Sequence, residues 1–240
     1  PIFESYSSTL QAPSFRFDGC QGEIRASALE EVPPALQALE EAVGSGLHAA
    51  GYISFDAAPG LDSTLSAQRD SSLPLLCFGL FERRRACRPG EHLVAGRSTI
   101  SQWKPAIAES VYADAVRRIQ EYIAAGDTYQ VNYTFQMMAD FDGDPRALYQ
   151  ELCRSQGAAY CAYLDCGRYQ ILSVSPELFF SLTDGVLTTR PMKGTKPRGR
   201  WTDEDRRFSR ELRDSPKDKA ENLMIVDLLR NDLGRISATG

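Results

Sequence analysis

The 240-residue sequence predicts an α+β fold on three observations. Helical and strand periodicities both occur, but without the regular alternation of a doubly wound sheet. An Asp184-Gly185 pair between two β-prone runs marks an antiparallel hairpin. Two helix-start signatures then follow one another near the carboxyl end.

Taken in order, Pro33-Pro34 opens a helix on which Leu36, Leu39 and Val43 recur at helical spacing, ending near Gly44 and Gly46. Residues 49–55 read as a strand, followed by a Pro/Gly/Ser-rich loop from Pro59 to about Ser72. Residues 75–81 form a continuous apolar run, the pattern of a buried strand. Residues 82–102 are polar and irregular, with one short strand expected around Leu93, and Arg83-Arg84-Arg85 reads as a solvated strand end. Tyr112, Val116, Ile119 and Ile123 share one face of a longer helix that Gly126 is placed to stop.

Residues 128–138 are rich in β-branched and aromatic side chains and read as an inner strand. A short helix over 145–154 and strands over 160–165 and 170–174 precede the hairpin, which delivers Lys193 near a strand end. Thr202 with Asp205, and Ser215 with Asp218 behind Pro216, then predict two helices by capping-box spacing. We divide the chain into an amino-terminal region, 1–105, and a second region, 106–240.

Composition excludes several function classes. The balance of 27 basic and 32 acidic residues gives a net charge of −5, so a nucleic-acid partner is not expected. No apolar stretch approaches the ~20 residues that span a bilayer, so no membrane role is expected. The six cysteines show no CxxC spacing and read as free thiols in a reducing cytoplasm. The two histidines, His48 and His92, are too few and too far apart in sequence to support a histidine metal site or a Ser-His-Asp triad.

The chemistry-bearing residues gather late in the chain. Lys193 stands in Arg190-Pro191-Met192-Lys193-Gly194-Thr195, between two segments that carry acids. Pro191 and Gly194 fix the backbone around it; a solvated turn lysine is the plain alternative. A lysine attacks as the neutral amine, whereas nearby carboxylates favour its charged form unless a cation neutralises them. The pattern therefore predicts a divalent cation nearby. Glu177 follows Ser175-Pro176 and precedes apolar residues, which suits a proton donor as well as it suits an edge-strand carboxylate facing water. Glu221 lies on the last predicted helix, where Asp218, Asp227 and Asp232 accumulate, although a single first-turn glutamate also favours the helix dipole. Gln130, within the predicted inner strand, needs hydrogen-bond partners from core or ligand. Arg230 is expected to pair with a local carboxylate.

The blocks 126–132 (Gly-Asp-Thr-Tyr-Gln-Val-Asn), 175–179 (Ser-Pro-Glu-Leu-Phe), 191–195 and 221–236 (Glu-Asn-Leu-Met and onward) together resemble the chorismate-utilising enzymes. Within them they are most similar to the synthase subunits of aminodeoxychorismate synthases; residues 51–59 also look like a segment of the family. The resemblance implies two stacked antiparallel sheets with helices outside, present here as an incomplete portion. It implies chorismate as substrate, Mg2+ as cofactor and a glutamine amidotransferase partner that supplies ammonia, for 4-aminobenzoate and folate synthesis. Lys193 matches the nucleophile that attacks the ring, Glu177 the acid that assists departure of the 4-hydroxyl, and Glu221 a Mg2+ ligand. Gln130, Gly194 and Thr195 fall among the substrate-binding positions. Lysine at 193 with glutamine at 130 is the pattern of the 4-aminating members, whereas anthranilate synthases carry a small residue at the lysine position. The family's later Gly-Ala-Pro-Lys motif and terminal helix are not present, so we expect weak or no synthase activity from the chain alone. Anthranilate synthase is the second reading. A non-catalytic module that binds a partner or a regulatory amino acid is the third.

Overall fold

The structure, a computed structural model, describes residues 1–10, 12–67, 72–91, 94 and 96–238. The chain divides into two compact units, 1–92 with 152–240, and 93–151.

The first unit is built on a six-stranded antiparallel sheet. It begins with β1 (Ile2–Glu4), β2 (Phe15–Ala26), α1 (Val32–Gly44), β3 (His48–Ile53), a short α2 (Ala58–Leu61) and β4 (Leu76–Ala86). Pro33 sits in the first turn of α1, where its missing N–H costs nothing. The core packs α1 on the sheet: Ala26, Val32, Ala35, Ala57, Leu75 and Leu76 are buried together, with Ile24, Leu36 and Phe78 against them. Arg83, Arg84 and Arg85 lie on the solvated end of β4, as expected. The strand expected near Leu93 falls outside the described residues; the short strand found instead is β5 (Ser98–Ile100).

The second unit contains β5, β6 (Lys104–Pro105), α3 (Glu109–Ala125), β7 (Met137–Met138), β8 (Phe141–Gly143) and the start of α4 (Pro145–Gln156). Gly126 stops α3 at a φ of 83°, a left-handed conformation that glycine adopts without strain. One expectation fails here. Within 128–138 only Met137–Met138 is strand, paired with β6. Tyr129, Val131, Tyr133 and Phe135 alternate with Gln130, Asn132 and Thr134, which is strand patterning, but among the described residues no neighbour ladders with this stretch. Tyr133 and Phe135 instead stack on Tyr112 of α3, ring centroids 5.9 and 5.7 Å apart.

The chain returns to the first unit with β9 (Tyr160–Asp165) and β10 (Gln170–Ser175), which complete the sheet order β10-β9-β1-β2-β4-β3. A separate hairpin, β11 (Leu178–Thr183) and β12 (Val186–Arg190), turns through Asp184 and Gly185 at φ 51° and 76°, the positive values its sequence predicts. Helices α5 (Thr202–Asp214) and α6 (Pro216–Gly234) follow. Ser215 caps α6, its Oγ accepting from the Asp218 N–H at 3.3 Å. The capping box expected at Thr202 does not form, because Trp201 occupies the cap position. Asp205 is engaged elsewhere.

Candidate functional site

Strand β10 runs into Ser175-Pro176-Glu177, and β12 ends three residues before Lys193. The Ser175 hydroxyl turns the chain at this point, accepting from the Glu177 N–H at 3.2 Å and donating to the Glu177 carbonyl at 3.0 Å. The Glu177 side chain is exposed, and its Oε1 accepts the Met192 N–H at 3.0 Å. The proton-donor candidate thus holds the backbone of the residue beside the lysine.

Lys193 is partly buried. Its neighbour Gly194 has φ 77°, and a Cβ there would lie 2.8 Å from Asp218 Oδ1 and 3.1 Å from Asp218 Cβ. The backbone conformation favours glycine, and the close approach leaves a side chain there no room unless Asp218 moves. The lysine turn is therefore seated on the first turn of α6. One turn further along that helix lies Glu221, partly buried, with Lys217 Nζ 3.7 Å from its carboxylate. Thr195 is exposed on the loop, and Arg230 pairs with Asp227 at 2.8 Å, as expected.

The rest of the loop is fastened to α5 by acids. Lys196 pairs with Glu211. Arg198 forks onto Asp205 at 2.7 and 2.8 Å, and the same carboxylate accepts the Gly199 N–H at 2.9 Å. Glu204 accepts the Arg200 N–H at 2.7 Å. Sequence reasoning did not find these fasteners. Their signal was partly legible: Arg198 and Arg200 precede the acids at the start of the next helix, whereas Glu211, the partner of Lys196, lies near its end.

The fork from Arg198 pulls the Asp205 carboxyl down to about 2 from its usual 3.8. Glu204 and Glu211 are also lowered, chiefly by hydrogen bonds from Arg200 and Lys196. A depressed folded-state value adds stability at pH above the ordinary carboxylate value, and that stability is lost as pH falls through the folded value. We expect the loop to loosen between pH 4 and about 2. The measurement is the fluorescence of Trp201, whose ring lies under the Arg200 guanidinium at 4.6 Å, in a Trp103→Phe background. An unchanged Trp201 signal across that window would refute it.

Gln130 belongs to the second unit, where it is partly buried; its carbonyl accepts from Thr128 Oγ1 at 3.1 Å. The inner strand expected around it is not formed. Among the described residues no three His, Cys, Asp or Glu side chains converge as a metal site. Mg2+ commonly takes one or two carboxylates and completes its octahedron with water and substrate oxygens, so Glu221 suits a one-carboxylate contribution.

The family described as chorismate binding enzyme matches residues 4–240. Aminodeoxychorismate synthase component 1 of Klebsiella aerogenes is 41% identical over 140 residues, 58% of this chain and 31% of that protein. Anthranilate synthase component 1 of Aquifex aeolicus is 36% identical over 149 residues, 62% of this chain and 30% of that protein. The chain thus spans about a third of the length of the curated relatives it matches. Anthranilate synthase component I of Streptococcus pneumoniae superposes with a TM-score of 0.74 at 21% identity, over 94% of this chain and 62% of that one. That likeness confirms the α+β class and its antiparallel sheets. No helix among the described residues is long and apolar enough to cross a membrane. With the family match running along nearly the whole sequence, the chain belongs to the chorismate binding enzymes.

Proposed function

We propose that this chain carries the nucleophile half of a chorismate-aminating site, in which ammonia replaces the ring's 4-hydroxyl. The observation that carries the reading is the seating of Lys193: its turn is held by Glu177 on one side and by the start of α6 on the other. In the first step Lys193 Nζ bonds to ring carbon 2, both ring double bonds shift in turn, and the bond from carbon 4 to oxygen breaks. Glu177 gives its proton to the departing hydroxyl, which leaves as water. In the second step ammonia bonds to carbon 4, both double bonds shift back, and Lys193 departs as the free amine. The sum is chorismate plus ammonia giving 4-amino-4-deoxychorismate plus water. Bound at Glu221, Mg2+ would offset the negative charge of a substrate carboxylate. A glutamine amidotransferase subunit is the proposed ammonia source, and Gln130, Gly194 and Thr195 are the proposed substrate contacts.

A second reading has an observation in its favour: anthranilate synthase relatives match almost as well as aminodeoxychorismate synthase relatives. Lys193 separates the two, because a small residue at that position leaves carbon 2 open to ammonia. Intact mass is measured after the chain meets chorismate and Mg2+ without ammonia, alone and with a polypeptide carrying the part of a relative that the chain does not match. The expected result is a chorismate-derived adduct on Lys193 in the supplemented mixture. A 2-amino product with no adduct once ammonia is added would establish the second reading.

Glu177→Gln separates holding from proton transfer. A glutamine carbonyl still accepts the Met192 N–H but has no acidic proton to give. The expected loss in kcat is about 10²–10⁴-fold, with adduct formation slowed alike and KM little changed. A variant as fast as the parent would remove Glu177 from the mechanism.

A further inference from the structure

Three of the six thiols meet at one place away from the lysine turn. Cys20, Cys77 and Cys166 line a cavity of about 100 Å³ together with Glu23, Gly51 and Asp165. Cys77 is the second residue of β4, opposite Arg25 of β2 and Tyr52 of β3. Cys166 begins the turn between β9 and β10, its N–H held by the Tyr169 carbonyl at 2.9 Å. Both residues line the same wall of this small cavity. The turn is docked on the segment before β4 at a second point as well: the Tyr169 hydroxyl lies 2.6 Å from Ser72 Oγ. Cys77 is buried, whereas Cys166 is only partly buried and offers the point of entry; Cys20, on the same cavity, is exposed. The other thiol pair, Cys153 and Cys161, is sealed at 0% and 2% exposure, and the Cys161 thiol donates to the Ala158 carbonyl at 3.6 Å.

We propose that Cys77 and Cys166 are a modification site that takes a disulfide from a small-molecule disulfide such as oxidised glutathione. The Cys166 thiolate attacks one glutathione sulfur, and the first glutathione leaves as its thiol. Cys77 Sγ then attacks Cys166 Sγ of the mixed disulfide, and the second glutathione leaves. The two protein thiols are oxidised by two electrons, and the two glutathiones carry those electrons and the two protons away. The bond fixes the β9–β10 turn to β4. Because β10 leads directly to Ser175 and Glu177, it also restrains the strand that presents the proposed acid.

Burial, followed by the neighbouring Cys77, pushes the Cys166 thiol up to about 11, with Asp165 acting in the same direction and Arg25 against it. Tyr52 beside them is likewise pushed up to about 12, mainly by burial. The thiolate is therefore scarce near neutrality, and oxidation should quicken about tenfold per pH unit up to that range.

The test treats the folded chain, in a Cys20→Ser background, with oxidised glutathione at pH 7 and 9, blocks remaining thiols, and maps peptides without reduction. The expected result is one linked peptide pair, Cys77–Cys166, formed about 100-fold faster at pH 9, with Cys153 and Cys161 recovered as thiols. A stable glutathione adduct on Cys166 with no link, a Cys153–Cys161 link in its place, or no loss of thiols would each overturn the proposal. Mapping reads the pairing directly, so the result does not depend on a Cys166 variant that folds.

Discussion

Replacing Lys193 by alanine is expected to abolish the covalent chorismate adduct and to lower 4-amination by at least about 10³-fold, the scale on which loss of a nucleophile is felt. The fold should survive the change. Lys193 lies on a loop whose attachment runs through its neighbours: Met192 to Glu177, Gly194 to Asp218, and Lys196 to Glu211. Chorismate binding should persist for the same reason, which makes the loss one of kcat. Lys193→Arg is the companion variant, because it keeps a long basic side chain and removes the attacking amine. Both variants should lack the adduct in intact-mass spectra. If Lys193→Ala kept full 4-amination, the lysine would be a charge in the wall of the site and the proposed mechanism would fall. If it gained a 2-amino product, carbon 2 would be the position that Lys193 normally blocks.

The attachment of this loop also explains how far the sequence alone could be read. The lysine turn was legible because Pro191 and Gly194 announce a constrained backbone, and the structure gives Gly194 a positive φ against Asp218. The hairpin before it was legible because Asp184-Gly185 satisfies two consecutive positive φ values. What holds the loop was harder to see. Asp205 has the spacing of a capping partner for Thr202, yet the Arg198 fork and the Gly199 N–H claim its carboxylate. Local spacing identifies a possible partner, whereas a bidentate arginine wins by the greater strength of two charge-assisted bonds.

Strands were less legible than turns. Strand β2 carries no clean alternation, because the register shifts between Cys20 and Gly22 and a bulge displaces one half of the strand from the other. Residues 129–135 show the opposite failure, since their alternation is regular and still makes no ladder. Alternation specifies which side chains share a face; a strand also needs a neighbour to accept its hydrogen bonds. For Gln130 this matters directly. Its alternation points to an inner strand, whereas in the structure it lies in the second unit outside any strand.

The largest stability effect is expected away from the lysine turn, at Gly51. Gly51 lies on β3 opposite Phe78 of β4. A Cβ there would clash with the Cys77 carbonyl oxygen and would stand 2.6 Å from the Phe78 Cα. Both are backbone atoms, so no side-chain rotation relieves the contact. The strands would have to separate beside Leu75 and Leu76, which are among the most deeply buried residues of the unit. Gly51→Ala should therefore cost about 3 kcal/mol, the upper part of the range for overpacking. With a urea slope of about 2 kcal/mol per molar, that is a fall of about 1.5 M in the unfolding midpoint. Gly44→Ala is the control, since a Cβ at the end of α1 meets nothing within 4 Å. Its midpoint should be unchanged or slightly raised, because alanine replaces glycine in a helical conformation. Equal midpoints for Gly51→Ala and the parent would mean that β3 and β4 have room to part, and that the close approach is not what selects glycine there.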